Sequence, residues 1–427
     1  MDSKENICSV CGKHITEDNK QPLFFFSYNK EDFCICLDCV DKIHSKLSKN
    51  METVIKTDDT KKKKKTGKTK PSDIKAYLDQ YIIGQDKAKE ILSVAICNHY
   101  KMCRLKKNGE ENSIHKEMEK SNVLLVGPSG SGKTAMVKRL GNFLGVPVVT
   151  EDATSFSATG YVGRDIETIL RDILDAADGD INKAERGIVF IDEVDKISRK
   201  GENLSTTSDP GNEAVQQGLL KMLEGNVVEV PKHGNRRHPD AEVIKINTEN
   251  ILFILGGAFE GIEKIIAQRH KRKAGGSIGI GAVIEDNDDA QTFNNNILDL
   301  KTEDLKKFGM LPEFLGRIPV ICPMKELSIE ALVSILTKPK NALVKQYQAL
   351  MEDDGISLEF TENALRHVAN KAMERKTGAR SLRGVMEDIM NPIMFRIPDE
   401  QDIEKLVIDT DKDDNIKIDK KKKEAAA

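Results

Sequence analysis

Residues 127–134 read GPSGSGKT and follow the apolar run Val123-Leu124-Leu125-Val126. This is the G-x-x-x-x-G-K-[ST] spacing of a phosphate-binding loop, set where a buried strand turns into a helix. Gly127, Gly130 and Gly132, with Pro128, Ser129 and Ser131 between them, let successive backbone N–H groups converge on an anion. A helix expected over Thr134–Leu140 presents its positive end to the same anion. Lys133 has the reach for β- and γ-phosphates, and the Thr134 hydroxyl suits Mg²⁺. The chemistry this spacing points to is binding of a nucleoside triphosphate such as ATP.

A second motif, IVFIDEVD, occupies 188–195. Four apolar residues predict a buried strand, and acids appear only at its carboxyl end, where open α/β sheets place ligands. Asp192 is the candidate Mg²⁺ ligand, and Glu193 the group that orients and deprotonates an attacking water. Read alone, the motif is equally a strand running into an acidic turn. Its place downstream of a phosphate loop favours hydrolysis.

Five of the eight cysteines lie within the first 39 residues. Cys8-x2-Cys11 and Cys36-x2-Cys39 have the spacing of a tetrathiolate Zn²⁺ site, and so small a head has little core of its own. Cys34 is a further thiol that could replace Cys36. Cys97, Cys103 and Cys322 are scattered and read as core residues.

These motifs need a scaffold. Strands expected at 123–126, 188–191 and 251–255 alternate with helical stretches, which predicts an α/β fold with a parallel sheet between helices. The expected organisation is a zinc-binding head (1–50), a lysine-rich linker (51–70), a large α/β domain (71–323), a small mainly helical domain (324–410) and a polar, unstructured tail (411–427). In the helical part, helices are expected at 328–337, 361–375 and 381–390, with Thr361 as N-cap and Leu365, Val368, Ala369, Ala372 and Met373 on one face.

Charged residues make up 32% of the chain, yet the net charge is only −3, which argues against bulk electrostatic binding of nucleic acid. No apolar run approaches the roughly 18 residues of a membrane span. The N-terminal stretch has no apolar signal core, so the expectation is a cytoplasmic chain with reduced thiols and no membrane partner.

The whole pattern resembles the AAA+ P-loop ATPases and, more closely, the ClpX family of Clp/Hsp100 unfoldases. The segments that carry the resemblance are YIIGQDKAK at 81–89, GYVG at 160–163, DEVDKISRK at 192–200, VQQGLLKMLEG at 215–225, RRHP at 236–239, LPEFLGRIP at 311–319 and TGARSLR at 377–383, beside the two nucleotide motifs. The resemblance implies that Ile82 and Ile83 line an adenine pocket. It implies that Arg317 is an arginine finger acting on a neighbouring subunit, hence a homohexameric ring, and that Arg380 is the sensor-2 arginine. Tyr161 and Val162 would grip an unfolded chain in the pore, and Arg236, Arg237 and His238 would line its entrance. Ile278, Gly279 and Ile280 would dock on a ClpP-type peptidase, and the head would bind adaptor proteins and some substrates. The implied activity is ATP-dependent unfolding of tagged or unfolded proteins.

Three departures from the family pattern stand out. Arg164 follows GYVG where the family usually has Glu. Ile280 stands where the docking tripeptide usually ends in Phe, which favours an alternative, a stand-alone remodelling chaperone. The polar sensor-1 residue is not evident in ILFILGG at 251–257. A nucleic-acid motor and a non-hydrolysing scaffold are further alternatives; GYVG and RRH count against the first, Glu193 and Arg317 against the second.

Overall fold

The computed structural model of the chain describes residues 8, 10–11, 23–28, 31–37, 39–40, 42, 69–108, 114, 117–156, 164–199, 210–231, 243–273, 290–375, 377–397, 400, 403–412 and 414–422. The chain divides into two units, Met1–Lys68 and Thr69–Ala427. In the first, strands β1 (Leu23–Tyr28) and β2 (Glu31–Cys36) form an antiparallel hairpin that sets Leu23 opposite Cys36.

The second unit is built on a five-stranded sheet. Its strands are β3 (Val123–Val126), β4 (Val148–Asp152), β5 (Ile188–Asp192), β8 (Leu252–Gly257) and β9 (Val320–Pro323), while β6 (Val227–Pro231) and β7 (Val243–Asn247) form a separate antiparallel pair. The spatial order is β4-β5-β8-β3-β9, and every pairing is parallel. Its inner strands are near-continuous Val, Ile, Leu and Phe, as a parallel sheet covered on both faces requires. Alternate residues serve opposite cores. Leu124, Val126, Val189, Ile191, Phe253 and Leu255 pack with the helices Thr168–Ala176, Pro210–Glu224 and Ile262–Lys273. Val123, Leu125, Ile188, Phe190, Leu252 and Ile254 pack with Pro71–Leu78, Asp86–Asn108 and Lys133–Leu144. Each fully buried side chain of this kind contributes about 1.5–3 kcal/mol, so both faces are firmly specified.

A separate core gathers the C-terminal part, from Leu327 onward. The expected helices form at Ile329–Thr337, Glu362–Glu374 and Ala379–Arg396. Thr361 caps the second, its Oγ1 accepting from the Ala364 N–H at 3.2 Å. A further helix, Leu343–Asp353, was not expected, nor were strands here. Yet β10 (Ser357–Phe360), β11 (Ile403–Thr410) and β12 (Ile416–Lys422) form a sheet in that order. The expectation of an unstructured tail from 411 is therefore corrected over 414–422. Asn415 turns the chain by donating its N–H to Asp411 Oδ1 at 2.8 Å, and Ile416 packs against the core. The lysines that hid this strand sit on an exposed sheet edge, where charge discourages further pairing. Among the described residues, no helix is long and apolar enough to cross a membrane.

Candidate functional site

The phosphate loop leaves the carboxyl end of β3 between β8 and β9. Gly127 is required there, because a Cβ would lie 2.7 Å from Met324 Cβ. Lys133 is 7% exposed, and its Nζ donates to the carbonyls of Gly127 at 2.6 Å and Pro128 at 3.1 Å. Burial pushes its pKa down, against the opposing pull of Asp192 and Asp195. Gly132, with φ at +101°, starts the helix Lys133–Leu144 with no side-chain cap, leaving first-turn N–H groups for an anion.

Asp192 ends β5, two strands away from β3. Thr134 Oγ1 nevertheless donates to Asp192 Oδ2 at 3.1 Å. Strand β8, which lies between, permits this by ending in glycines. A Cβ on Gly256 would stand 3.1 Å from Asp192 Oδ1, and one on Gly257 would stand 2.7 Å from Asp195 Oδ1. This gives a physical reason for the missing polar residue in ILFILGG: the strand yields its space to two carboxylates. The hydroxyl and carboxylate together are a hard oxygen donor set that fits Mg²⁺. Glu193 is exposed beside them with φ at +59°, and its N–H donates to Asp192 Oδ1 at 3.0 Å.

The C-terminal core closes on this loop. A Cβ on Gly130 would lie 2.3 Å from Thr377 O and 2.8 Å from Ala379 N, so the phosphate loop packs on the start of the helix that carries Arg380. Arg380 is exposed there and close enough for its charge to lower the Lys133 pKa further. Ile82 is buried and Ile83 half-buried; the Ile82 carbonyl accepts from the buried Lys89 Nζ at 3.0 Å.

Arg317 is placed elsewhere. It follows the helix Pro312–Gly316, and its carbonyl accepts from Asn122 Nδ2 at 2.8 Å at the amino end of β3. Its guanidinium pairs with Glu224 at 3.1 Å. Gln216, fully buried, ties this region to the turn Val194–Ile197 that follows β5: it donates to Ile197 O at 2.7 Å and accepts from Leu311 N at 3.0 Å. Asn122, Asp195, Gln216 and Glu224 were not picked out from the sequence. Only Asp195 carried a signal, as the third acid of IDEVD.

Tyr161, Val162, Arg236, Arg237, His238, Ile278, Gly279 and Ile280 lie outside the described residues. Their frames are described. Arg164 binds Glu151 at 2.9 Å and also Asp172, and its N–H donates to Ser155 O at 3.0 Å, so the unexpected arginine is itself fastened beside the end of β4. Burial raises the Glu151 pKa, and the neighbouring Asp172 adds to the rise. The β6–β7 pair flanks 232–242.

In the N-terminal unit, the Sγ atoms of Cys8, Cys11, Cys36 and Cys39 all lie within 4.8 Å of one another. Four thiolates at zinc-bonding distance from a common centre stand about 3.8 Å apart. Cys11 Sγ and Cys36 Sγ are separated by 3.8 Å, and all four thiols are free. The cluster fits zinc, and it contains Cys36. The Cys36 N–H, 3.4 Å from Cys8 Sγ, holds the Cys8 thiol down at about 6, whereas desolvation pushes Cys39 up to about 12.

Residues 118–321 match the family described as AAA domain (Cdc48 subfamily), and residues 327–408 match the C-terminal, D2-small domain, of ClpB protein. Two curated relatives carry the name ATP-dependent Clp protease ATP-binding subunit ClpX. The protein from Bacteroides thetaiotaomicron is 49% identical over 331 residues, 78% of each chain. The protein from Porphyromonas gingivalis is 43% identical over 395 residues, 92% of each chain. With a phosphate loop, a carboxylate-ended β5 and a C-terminal core seated on the loop, the chain belongs to the ClpX family of AAA+ ATPases.

Proposed function

We propose that the chain is an ATP-driven protein unfoldase and translocase. It would work in the cytoplasm as a homohexameric ring that threads tagged or unfolded proteins through a central pore into a ClpP-type peptidase. Residues 71–323 are the large ATPase domain and 324–410 the small one. Residues 1–50 are the zinc-binding head, bound to adaptors, joined by the linker 51–70; 411–427 remains the terminal segment, carrying β12.

Lys133 and the N–H groups of 127–134 hold the ATP phosphates, and Ile82 and Ile83 the adenine. Bound at Thr134 and Asp192, Mg²⁺ would neutralise phosphate charge. Glu193 takes a proton from water as the water oxygen bonds to the γ-phosphorus and the bond to ADP breaks. Arg380, on the helix that packs against the phosphate loop of its own subunit, steadies the transferring group from one side.

The observation that carries the ring is the position of Arg317. Its backbone is bonded to Asn122, before β3, while the phosphate loop starts at Gly127, after β3. Five residue steps along the strand separate those points by about 16 Å. Arg317 therefore serves a neighbour's nucleotide better than its own. Threading of protein is supported by the kinship with ClpX relatives and by the apolar pair in GYVG, which contacts any peptide without side-chain-specific hydrogen bonds. Arg236, Arg237 and His238 would attract acidic groups at the entrance. Ile278-Gly279-Ile280 would be the docking plug; its lost aromatic area favours a second reading, a remodelling chaperone without a peptidase.

Mixed rings test the reading. Arg317→Ala and Glu193→Gln subunits should each be nearly inactive as ATPases. Together they should regain turnover, since an intact Glu193 can borrow a neighbour's Arg317. No regain in rings shown to be mixed would place the arginine in its own subunit's site.

A further inference from the structure

Two successive residues, Lys325 and Glu326, stand between the two cores of the larger unit. Met324 is fully buried in the core under the main sheet, and Leu327 packs against the C-terminal core. The two family matches likewise end at 321 and begin at 327. Each of the two junction residues is held by a side-chain carboxamide. Gln85 donates to Lys325 O at 2.7 Å and accepts from Lys325 N at 2.9 Å. Asn294 accepts from Glu326 N at 2.7 Å, with its Nδ2 3.4 Å from Glu326 O. A carboxamide carries the donor and acceptor of a peptide group, so each grips the junction as a neighbouring strand would.

Gln85 also reaches the phosphate loop. Its Nε2 lies 3.5 Å from the Ser131 carbonyl, and the residue is 8% exposed. Gly84 and Gln85 have φ of +66° and +59°. A non-glycine residue holds that left-handed conformation when its surroundings fix it there. Here the turn aims the carboxamide at two backbones that are 194 residues apart in sequence, Ser131 and Lys325. Asn294 grips from the helix Ala290–Ile297 instead.

We propose that Gln85 is a positioning residue that couples the phosphate loop to the junction between the two cores. The proposal rests on reading 127–134 as the ATP site. Phosphate drawing in the loop N–H groups turns the peptide planes that carry them, and the Ser131 carbonyl turns with its plane. Gln85 follows that carbonyl and shifts its hold on Lys325. Nucleotide thereby sets how freely the C-terminal core moves on the main sheet.

Hydrogen exchange of the full chain, with and without Mg²⁺ and the ATP analogue AMP-PNP, tests this. In the wild type, AMP-PNP should change exchange at the Lys325 amide by about tenfold, since that amide opens locally. Gln85→Met, of similar length but without the amide, should lose most of that response at saturating AMP-PNP. Asn294→Ala should speed exchange at Glu326 in both states yet keep the response at Lys325, which a merely structural clamp would not do. If Gln85→Met does not fold, Gln85→Glu serves: it keeps the acceptor for Lys325 N but sets an anionic oxygen against Lys325 O and Ser131 O. A wild-type response in the folded Gln85 variant overturns the proposal, as does no response in wild-type protein shown by calorimetry to bind AMP-PNP. Absence of binding in that calorimetry would instead bring down the ATP-site reading and this proposal with it.

Discussion

Arg317 and Arg380 lie at opposite ends of β3. The first is bonded through its carbonyl to Asn122, which precedes the strand, and the second follows Ala379, whose backbone nitrogen abuts Gly130 beyond it. Nucleotide titration of isolated subunits should separate them. Arg380→Ala should weaken ATP binding about tenfold, the worth of one charge-assisted contact. Arg317→Ala should bind as the wild type does, and its defect should emerge only in assembled rings. Equal loss of binding in both isolated variants would contradict this placement.

Glu193 should be needed for turnover and not for binding. Glu193→Gln keeps the side-chain shape and leaves Lys133, Thr134 and Asp192 in place. Its ATPase rate should fall at least about a hundredfold, the usual worth of a positioned general base, while ATP affinity stays within a few-fold. A steady-state rate like the wild type's would move the base to another residue, Asp195 being the nearest acid in sequence that is not given to Mg²⁺.

Gly130 and Gly378 pack backbone against backbone. A Cβ on Gly130 would come within 2.9 Å of Gly378 Cα, and one on Gly378 within 2.9 Å of Ser129 O. Both residues also have positive φ, +75° and +57°. Gly130→Ala and Gly378→Ala should each cost at least about 1–2 kcal/mol for the backbone conformation alone, and more for the lost contact. We expect a lower thermal midpoint and ATP binding weakened about tenfold or more. Unchanged binding by both variants would show that the C-terminal core does not need to seat on the loop.

The head should hold one zinc ion through Cys8, Cys11, Cys36 and Cys39. Metal analysis of Cys→Ser variants should show loss with each of these four and retention with Cys34→Ser. Chelation should unfold residues 1–50 and spare the ATPase, because binding energy of a structural zinc is folding energy for so small a unit. Retention in Cys36→Ser with loss in Cys34→Ser would exchange the two ligands.

What could be read from the sequence follows from how local each signal is. The buried strands show as apolar runs, and the phosphate loop, β5 acids and paired cysteines as fixed spacings. Strand β12 was missed because its isoleucines alternate with lysines on a sheet edge, which resembles a solvated tail. The helix Leu343–Asp353 carries no acidic first turn or side-chain cap to mark its start. Gln85, Asn122 and Gln216 were invisible for another reason. Their partners, Lys325, Arg317 and Leu311, are brought to them only by the order of the strands, and a polar residue in one segment gives no sign of a backbone group so far away. The meaning of Gly256 and Gly257 likewise waits on β8 lying between β3 and β5.

Unfolding by the ring is read most directly as loss of fluorescence from a stably folded, tagged fluorescent protein. It is followed with ATP, with the cognate ClpP-type peptidase and without it, beside a trap for unfolded chains. Loss should be ATP-dependent with peptidase or trap, absent with the Glu193→Gln protein, and severely slowed by Tyr161→Ala while ATP is still consumed. Loss with the trap but never with the peptidase would favour the stand-alone chaperone. Unchanged fluorescence while wild-type rings hydrolyse ATP, or normal unfolding by Tyr161→Ala rings, would contradict the claim that hydrolysis pulls a polypeptide through the pore.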